Sequence, residues 1–395
     1  MHCLWVTYAD PEPRHNGQYV YSGGLIDALA GSGARVDVVG LARPGQSAST
    51  KRSTDAVRWW LADFQAKPSW MSLLSPLPHV ADRGRTPALQ RMLASRLASE
   101  TPDVIVFDGI SAAWALRPVL KCYNGAGRRP KLVYVSHNHE TSLRPEVARG
   151  QQNPIKRQIL QYDAAKAVML ERALLDTVDL VTAITAEDRK LYLQQKIRCP
   201  IEVLPPGYDG DRLDERRITQ DLPRRAIIVG SFDWIAKRMN LEEFISIADP
   251  LFAEHGAELQ VVGSAEAEFL KRLRQRVHAT QFTGAVEDID PYMRQSRIAL
   301  VPERHGGGFK LKVLDYVFNR MPILALYGSV AGVPLQQEDS ILLYPDLEAL
   351  ARGVLRVIDD CDRLNRLQDR AFASCQDAFD WPSRGRQLMN AIGAA

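Results

Sequence analysis

No apolar run in the chain approaches the roughly 18 residues that would span a bilayer, so no transmembrane helix is expected. The opening Met1-His2-Cys3-Leu4-Trp5-Val6 has no basic lead and no small-residue cleavage site, so no signal peptide is expected either. Cysteine is scarce and scattered: Cys3, Cys122, Cys199, Cys361 and Cys375 are odd in number and never spaced C-x-x-C. That argues against a disulfide framework or a zinc site and fits a reducing, cytoplasmic setting. Neither charge dominates. With 50 Lys+Arg against 47 Asp+Glu the net charge is +3, and no nucleic-acid partner is expected. Two nucleotide-binding signatures are missing. No G-x-G-x-x-G follows the first strand, which disfavours a nicotinamide dehydrogenase, and no Gly-Lys-Ser/Thr marks a Walker loop.

What is present is an ordinary globular balance, 46% hydrophobic and 25% charged over 395 residues, enough for two domains of about 200 residues each. Short apolar runs alternate with longer amphipathic ones. Leu4–Thr7, Val36–Val39, Val104–Phe107, Leu132–Val135, Leu180–Ala183 and Glu202–Leu204 read as strands of a first half, with a helix over about Tyr19 to Ala30. Pro205 to Pro223, with Pro-Pro-Gly and a charge-dense tract, reads as the interdomain linker. The alternation then restarts with Ala226–Val229, Leu259–Val262, Gln281–Thr283, Ile298–Val301, Ile323–Leu326 and Ile341–Tyr344. Strand–helix–strand alternation predicts an α/β fold of two Rossmann-like, doubly wound domains. The expected boundaries are 1–208, a linker over 209–223, a second domain over 224–375 and a terminal helix within 376–395. Such sheets bind ligands at the carboxyl ends of their strands.

The most informative stretch is Val301-Pro302-Glu303-Arg304-His305-Gly306-Gly307-Gly308-Phe309-Lys310-Leu311-Lys312-Val313-Leu314-Asp315. An apolar strand ends, a glycine loop follows, and a helix is expected from near Phe309. The glycines let backbone approach a ligand, and the helix end offers free N–H groups to an anion. Lys312 in the first turn can add a full charge to a diphosphate. Asp315 shares its face and can accept hydrogen bonds from ribose hydroxyls. The same residues also fit a plain tight turn closed by a Lys312–Asp315 pair. After the first strand of the second half, Gly230 to Leu241 carries Lys237 and Arg238 in the expected loop, where phosphates often sit. Arg238 fits a solvated role better than Lys237 does.

In the first half, Asn16-Gly17 follows the first strand, and a backbone N–H near Gly17 can approach a phosphate or sugar. Ser136-His137-Asn138-His139-Glu140 follows Leu132–Val135 and is placed for substrate hydroxyls. It lacks the spacing of H-E-x-x-H, so no metal is expected, and His139 also fits a satisfied structural role. Trp59, Trp60, Trp70, Met71, Leu73 and Leu74 lie among Lys51, Arg52, Arg58, Lys67, Arg83 and Arg85. Basic and aromatic residues interleaved in this way suit an anionic membrane face or a lipid-linked acceptor, and equally a partly buried helical excursion.

Taken together these stretches resemble the GT-B glycosyltransferases, specifically retaining enzymes similar to glycosyltransferase family 4. The resemblance runs nearly end to end. It takes in Asn16-Gly17, Gly23–Ala30, Ser136–Glu140, Glu171 through Asp179–Thr185, Leu204–Asp209, Val229–Ser231, Phe282–Gly284 with Val286, Asp288 and Tyr292, and the glycine-loop helix. It implies a GT-B fold with a central cleft and transfer of a sugar from a nucleotide-diphosphate donor to a glycan or lipid-linked acceptor in polysaccharide or glycoconjugate biosynthesis. No cofactor or metal is implied. By position it implies that Lys237 and Lys312 hold the diphosphate and Asp315, second acid of E-x7-E, holds the ribose. Gly306, Gly307, Gly308 and Phe309 approach sugar and phosphates through backbone N–H groups, and Val286 lies beside the base. His137 is placed near the transferred sugar, Gly17 faces the diphosphate, and Trp381 begins a terminal helix that packs back on the first domain.

Three positions depart from the pattern. The first acid of E-x7-E falls at Gly307, the second is the shorter Asp315, and the usual arginine after the glycine of the second half is Ser231. A nucleotide-sugar epimerase or hydrolase, and a non-catalytic nucleotide-binding homologue, therefore stay open beside the transferase. Lys312→Ala is expected to cut turnover without harming the fold.

Overall fold

The computed structural model describes residues 1–14, 16–45, 53–68, 70–125, 127, 129–304 and 308–395. The chain divides into two compact units: Met1–Gly207 with Asp380–Ala395, and Tyr208–Phe379.

The first unit is built on seven strands: β1 (His2–Ala9), β2 (Arg35–Leu41), β3 (Val57–Ala62), β4 (Val104–Asp108), β5 (Lys131–Val135), β6 (Leu180–Ala183) and β7 (Ile201–Val203). They lie in the order β3-β2-β1-β4-β5-β6-β7, every pairing parallel. Helices cover both faces, so the inner strands are apolar on both sides, and β4 is buried at every position. The strand order reverses between β1 and β4, where a doubly wound sheet opens its ligand crevice.

β3 has no counterpart in the sequence expectation. The Trp59-Trp60 pair belongs to this edge strand, not to a helical excursion: Trp59 is buried, and Arg96 stacks on the Trp60 ring at 4.1 Å. Lys51 and Arg52 lie outside the described residues.

Helix starts follow local chemistry. The side chain of Asn16 accepts from the Tyr19 N–H at 3.1 Å and starts the helix Gly17–Gly31. The C-terminal helix Trp381–Ala394 lies on that helix within the same unit. A Cβ at Gly24 would sit 2.2 Å from the Trp381 ring and one at Gly207 2.4 Å from it, so both glycines make the slot that buries the indole. Gly385 lets the helices close, since a Cβ there would lie 2.0 Å from the Ala28 carbonyl oxygen.

The second unit has six strands: β8 (Arg225–Val229), β9 (Glu258–Val262), β10 (Thr280–Gly284), β11 (Ile298–Val301), β12 (Ile323–Leu326) and β13 (Leu342–Tyr344). Their order is β10-β9-β8-β11-β12-β13, again all parallel, with the reversal between β8 and β11. Gly230 and Gly263 end β8 and β9 in contact. Gly263 has φ +137, and a Cβ on it would lie 1.6 Å from the Gly230 carbonyl oxygen. The stretch 209–223, read from sequence as a linker, packs as part of this unit. Arg216 donates to the carbonyls of Met293 at 2.9 Å and Ser296 at 2.6 Å, and the Ile218 N–H to Asn365 Oδ1 at 2.9 Å.

Candidate active site

In the second unit the chemistry gathers at the switch point between β8 and β11. Lys237 and Arg238 lie not in a loop but in the first turn of the helix Ile235–Glu254, which follows β8. Arg238 turns away to pair with Glu266 at 2.6 Å. Lys237 is half-buried and makes no hydrogen bond or ion pair among the described residues. Burial, with the nearby Lys312 ammonium, pulls its pKa below the usual lysine value.

Across from it, β11 ends in Val301 and the chain passes through Glu303 and Arg304. The Arg304 N–H donates to Asn240 Oδ1 at 3.0 Å and its guanidinium pairs with Glu243 at 2.9 Å, which ties the loop's entry to the helix Ile235–Glu254. Gly306 and Gly307 lie outside the described residues. Gly308 takes φ +74, a left-handed conformation that suits glycine.

The helix expected from Phe309 starts at Lys312 and runs to Phe318. Side chains on a helix lean toward its N-terminus, so Lys312 at the first position reaches back to the strand end. It forms an ion pair with Glu303, not with Asp315. Burial alone would raise the Glu303 pKa, but the charges of Lys312 and Lys310 hold it below the ordinary value. Glu303 Oε2 has no hydrogen-bond partner among the described residues. Lys237, Lys310 and Lys312 thus share this strand end with Glu303, and Asp233 also acts on Lys237, a cation-rich cluster suited to a polyanion.

The other sequence-assigned residues of this unit have plainer surroundings. Asp315 sits against the Tyr208 hydroxyl, and burial pushes its pKa up to about 6. The Phe309 ring packs on Phe379, centroids 5.7 Å apart. Val286 follows β10, half-buried against the core. Ser231 donates to Asp233 Oδ2 at 2.6 Å.

In the first unit the switch point lies between β1 and β4. Gly17 is exposed as the first residue of its helix, after β1. His137 follows β5. Its Nε2 meets Asp108 Oδ1 at 2.6 Å, and Asp108 is the buried last residue of β4. Burial would raise the Asp108 pKa, yet the charge and hydrogen bond of His137 keep it low. The Tyr21 ring stands edge-on to the imidazole at 5.5 Å, and its hydroxyl donates to the Leu204 carbonyl at 2.7 Å. Gly109, beside the imidazole, takes φ +73, a conformation that suits glycine.

His139 and Glu140 of the same cluster are bound into the scaffold. His139 is buried between Ser142 at 2.8 Å and Gln195 at 2.7 Å, and burial lowers its pKa. Glu140 is buried beside Arg144. Glu171 accepts from the N–H groups of Glu140 at 3.1 Å and Thr141 at 2.7 Å and from the Tyr192 hydroxyl at 3.0 Å, which fixes the loop that carries His137. Among the described residues no group of three or more His, Cys, Asp or Glu is placed to hold a metal ion. No helix among them is long and apolar enough to cross a membrane.

Asp108 and Glu303 were not singled out for these roles by the sequence. Both are carboxylates at the carboxyl end of a strand beside a switch point, the one signal that would have found them.

Comparison with known proteins bears on the family and the fold. Residues 16–207 match the glycosyl transferase 4-like domain. Residues 223–360 match the glycosyl transferases group 1. No curated protein matches the chain. Among solved structures, sucrose-phosphate synthase from Thermosynechococcus elongatus aligns with a TM-score of 0.75 at 18% identity, over 100% of this chain and 98% of that one. Anabaena HepE, solved with UDP and glucose, gives 0.65 at 14% identity over 100% of both chains. WaaG, a glycosyltransferase involved in lipopolysaccharide biosynthesis, gives 0.65 at 14% identity, also over 100% of both. At such identities the likeness is one of fold. With the two family matches covering most of its length, the chain belongs to the group 1 glycosyltransferases and is a glycosyltransferase of GT-B fold.

Proposed function

We propose that the protein transfers a hexosyl unit from a nucleotide-diphosphate sugar to a glycan or lipid-linked acceptor, with retention of anomeric configuration, in the assembly of a polysaccharide or glycoconjugate. The observation that carries the donor class is the Lys237, Lys310 and Lys312 cluster around Glu303 at the ends of β8 and β11. Structures of the same fold solved with UDP and with UDP-glucose support it.

Sugar transfer breaks the bond between the anomeric carbon and the diphosphate oxygen, and negative charge builds on the leaving group. The Lys312 ammonium is already held in place by Glu303, so it meets that charge with little reorganisation. One such preorganised group is worth about 10²–10³ in rate. In this reading the lysines supply the charge that a divalent cation would otherwise bring, and no metal is required. Asp315 accepts hydrogen bonds from the nucleotide ribose. Gly306, Gly307, Gly308 and Phe309 offer backbone N–H groups to the phosphates and sugar, Gly17 faces the diphosphate, and Val286 borders the base. His137 serves the transferred sugar, its ring held by Asp108 and Tyr21. We place the reaction in the cytoplasm, a setting that the free cysteines support.

The test is release of nucleoside diphosphate from UDP-, GDP-, ADP- and dTDP-sugars in EDTA, with and without acceptor glycans. Acceptor-dependent release is expected, with the product's anomeric configuration matching the donor's by NMR. Release without acceptor indicates a hydrolase, and an isomerised donor an epimerase. Nucleotide binding without turnover indicates a non-catalytic homologue.

A further inference from the structure

Seven of the twelve large apolar side chains that are exposed among the described residues fall on two helices of the first unit, Met71–Leu74 with its N-cap Trp70, and Pro154–Leu175. Trp70 is 62% exposed, Leu74 83% and Ile155 72%. Ile155, Ile159 and Tyr162 recur at i, i+4 and i+7, one face of the longer helix. Its first turns, residues 154 to 159, are exposed on every side. The two helices are joined: Lys166 Nζ donates to the carbonyls of Ser72 at 2.7 Å and Ser75 at 3.0 Å, and the His79 N–H donates to Asp163 at 2.7 Å. Lys166 continues the face of Ile155, Ile159 and Tyr162, so the short helix lies on the side of the long one that carries them, and the apolar residues are not scattered singles of the ordinary kind.

The charge there has one sign. No acid occurs between Asp63 and Asp82 or between Glu146 and Asp163, while Arg149, Lys156 and Arg157 do; Lys67 is turned inward onto the Asp82 and Arg85 carbonyls. The acids at the inner borders are turned inward. Asp82 is buried and accepts from Ser75 at 2.7 Å, and Asp163 accepts the His79 N–H. We infer that this face docks on an anionic lipid surface, with Trp70, Leu74, Ile155 and Ile159 entering the headgroup boundary and Lys156 and Arg157 meeting lipid phosphates. Apolar anchors ringed by long cationic side chains are the chemistry of an interfacial helix. A second copy fits less well, because a two-fold pairing would set Lys156 and Arg157 against their own kind. The proposal narrows the aromatic-basic stretch of the sequence: Trp59 and Trp60 leave it, and the start of the helix Pro154–Leu175 joins it. It does not rest on the proposed donor.

Flotation of the full chain with vesicles tests it, using phosphatidylcholine alone and phosphatidylcholine mixed with phosphatidylglycerol. Binding to the mixed vesicles, weakened by salt, is expected. Ile155→Ser with Ile159→Ser should weaken it about tenfold or more, and so should Lys156→Glu with Arg157→Glu. All four residues are exposed, so thermal melts should match wild type. No binding to mixed vesicles, or equal binding by the variants, would overturn the inference. So would a dimer in light scattering that the serine variant loses while vesicle binding is absent. The readout needs no substrate, so failure of the transferase reading leaves it intact.

Discussion

The two sheets reverse their strand order in the same way, yet they load the reversal with opposite chemistry. In the second unit the ends of β8 and β11 collect ammonium groups around Glu303. In the first, the ends of β4 and β5 hold a lone imidazole backed by a buried carboxylate. Topology fixes where a ligand meets the protein; side chains fix what kind of ligand. The lysine site is built to meet charge. The histidine site is built to hold one ring in one orientation, with Asp108 and Tyr21 both limiting it.

The largest expected effect breaks the cationic side of this comparison. Lys312→Ala should lower kcat by about 10²–10³, since a preorganised charge is lost. The fold should survive, but with a lower melting temperature, because the substitution removes the ion-pair partner of the half-buried Glu303. Lys312→Ala with Glu303→Gln should regain stability but not turnover. If the double variant recovers activity, the charge role fails.

Asp108→Asn breaks the other side. The amide can present its N–H to His137 and select the wrong tautomer, so kcat should fall about 10²-fold with donor KM little changed. A rise in KM alone would assign Asp108 to donor binding.

A third effect is smaller and sharpens the donor site. Asp315 is pushed up to about 6, so its carboxylate forms as pH rises through that value. Affinity for the preferred nucleoside diphosphate should rise several-fold over the same range, and calorimetry on Asp315→Asn should show that rise removed. Retention of the full pH dependence in Asp315→Asn would take Asp315 out of the ribose role.

The smallest effect concerns the scaffold under His137. Glu171 goes from an ordinary 4.5 to about 7 on burial. Between those values the folded protein binds the extra proton, so stability falls as pH rises, by on the order of 3 kcal/mol at most. Denaturant melts of Glu171→Gln should show that slope flattened.

Much of this was legible in sequence because a buried parallel strand is a short apolar run bounded by turns. Val104–Phe107, Ile298–Val301 and Ile323–Leu326 lie within strands that differ from the sequence reading by at most one residue. β3 was missed because Arg58, Trp59 and Trp60 read as a surface cluster, and only the β2 pairing makes them a strand. Lys237 and Lys312 were legible as cations beside glycine loops. Their surroundings were not, since the helix was expected to start three residues too early, and that made Asp315 look like the partner of Lys312. The His137–Asp108 contact joins residues 29 apart on neighbouring strand ends, a distance that no local pattern encodes. The Gly24 and Gly207 slot for Trp381 is hidden in the same way, as a long-range packing fact.

The measurement that bears most directly on the account is calorimetric titration of the chain in EDTA with UDP, GDP, ADP and dTDP, on wild type and on Lys237→Ala with Lys312→Ala. The account predicts binding of one nucleoside diphosphate without metal and its loss in the double variant. Undiminished binding by that variant, or binding to wild type only when Mg²⁺ is added, would contradict it.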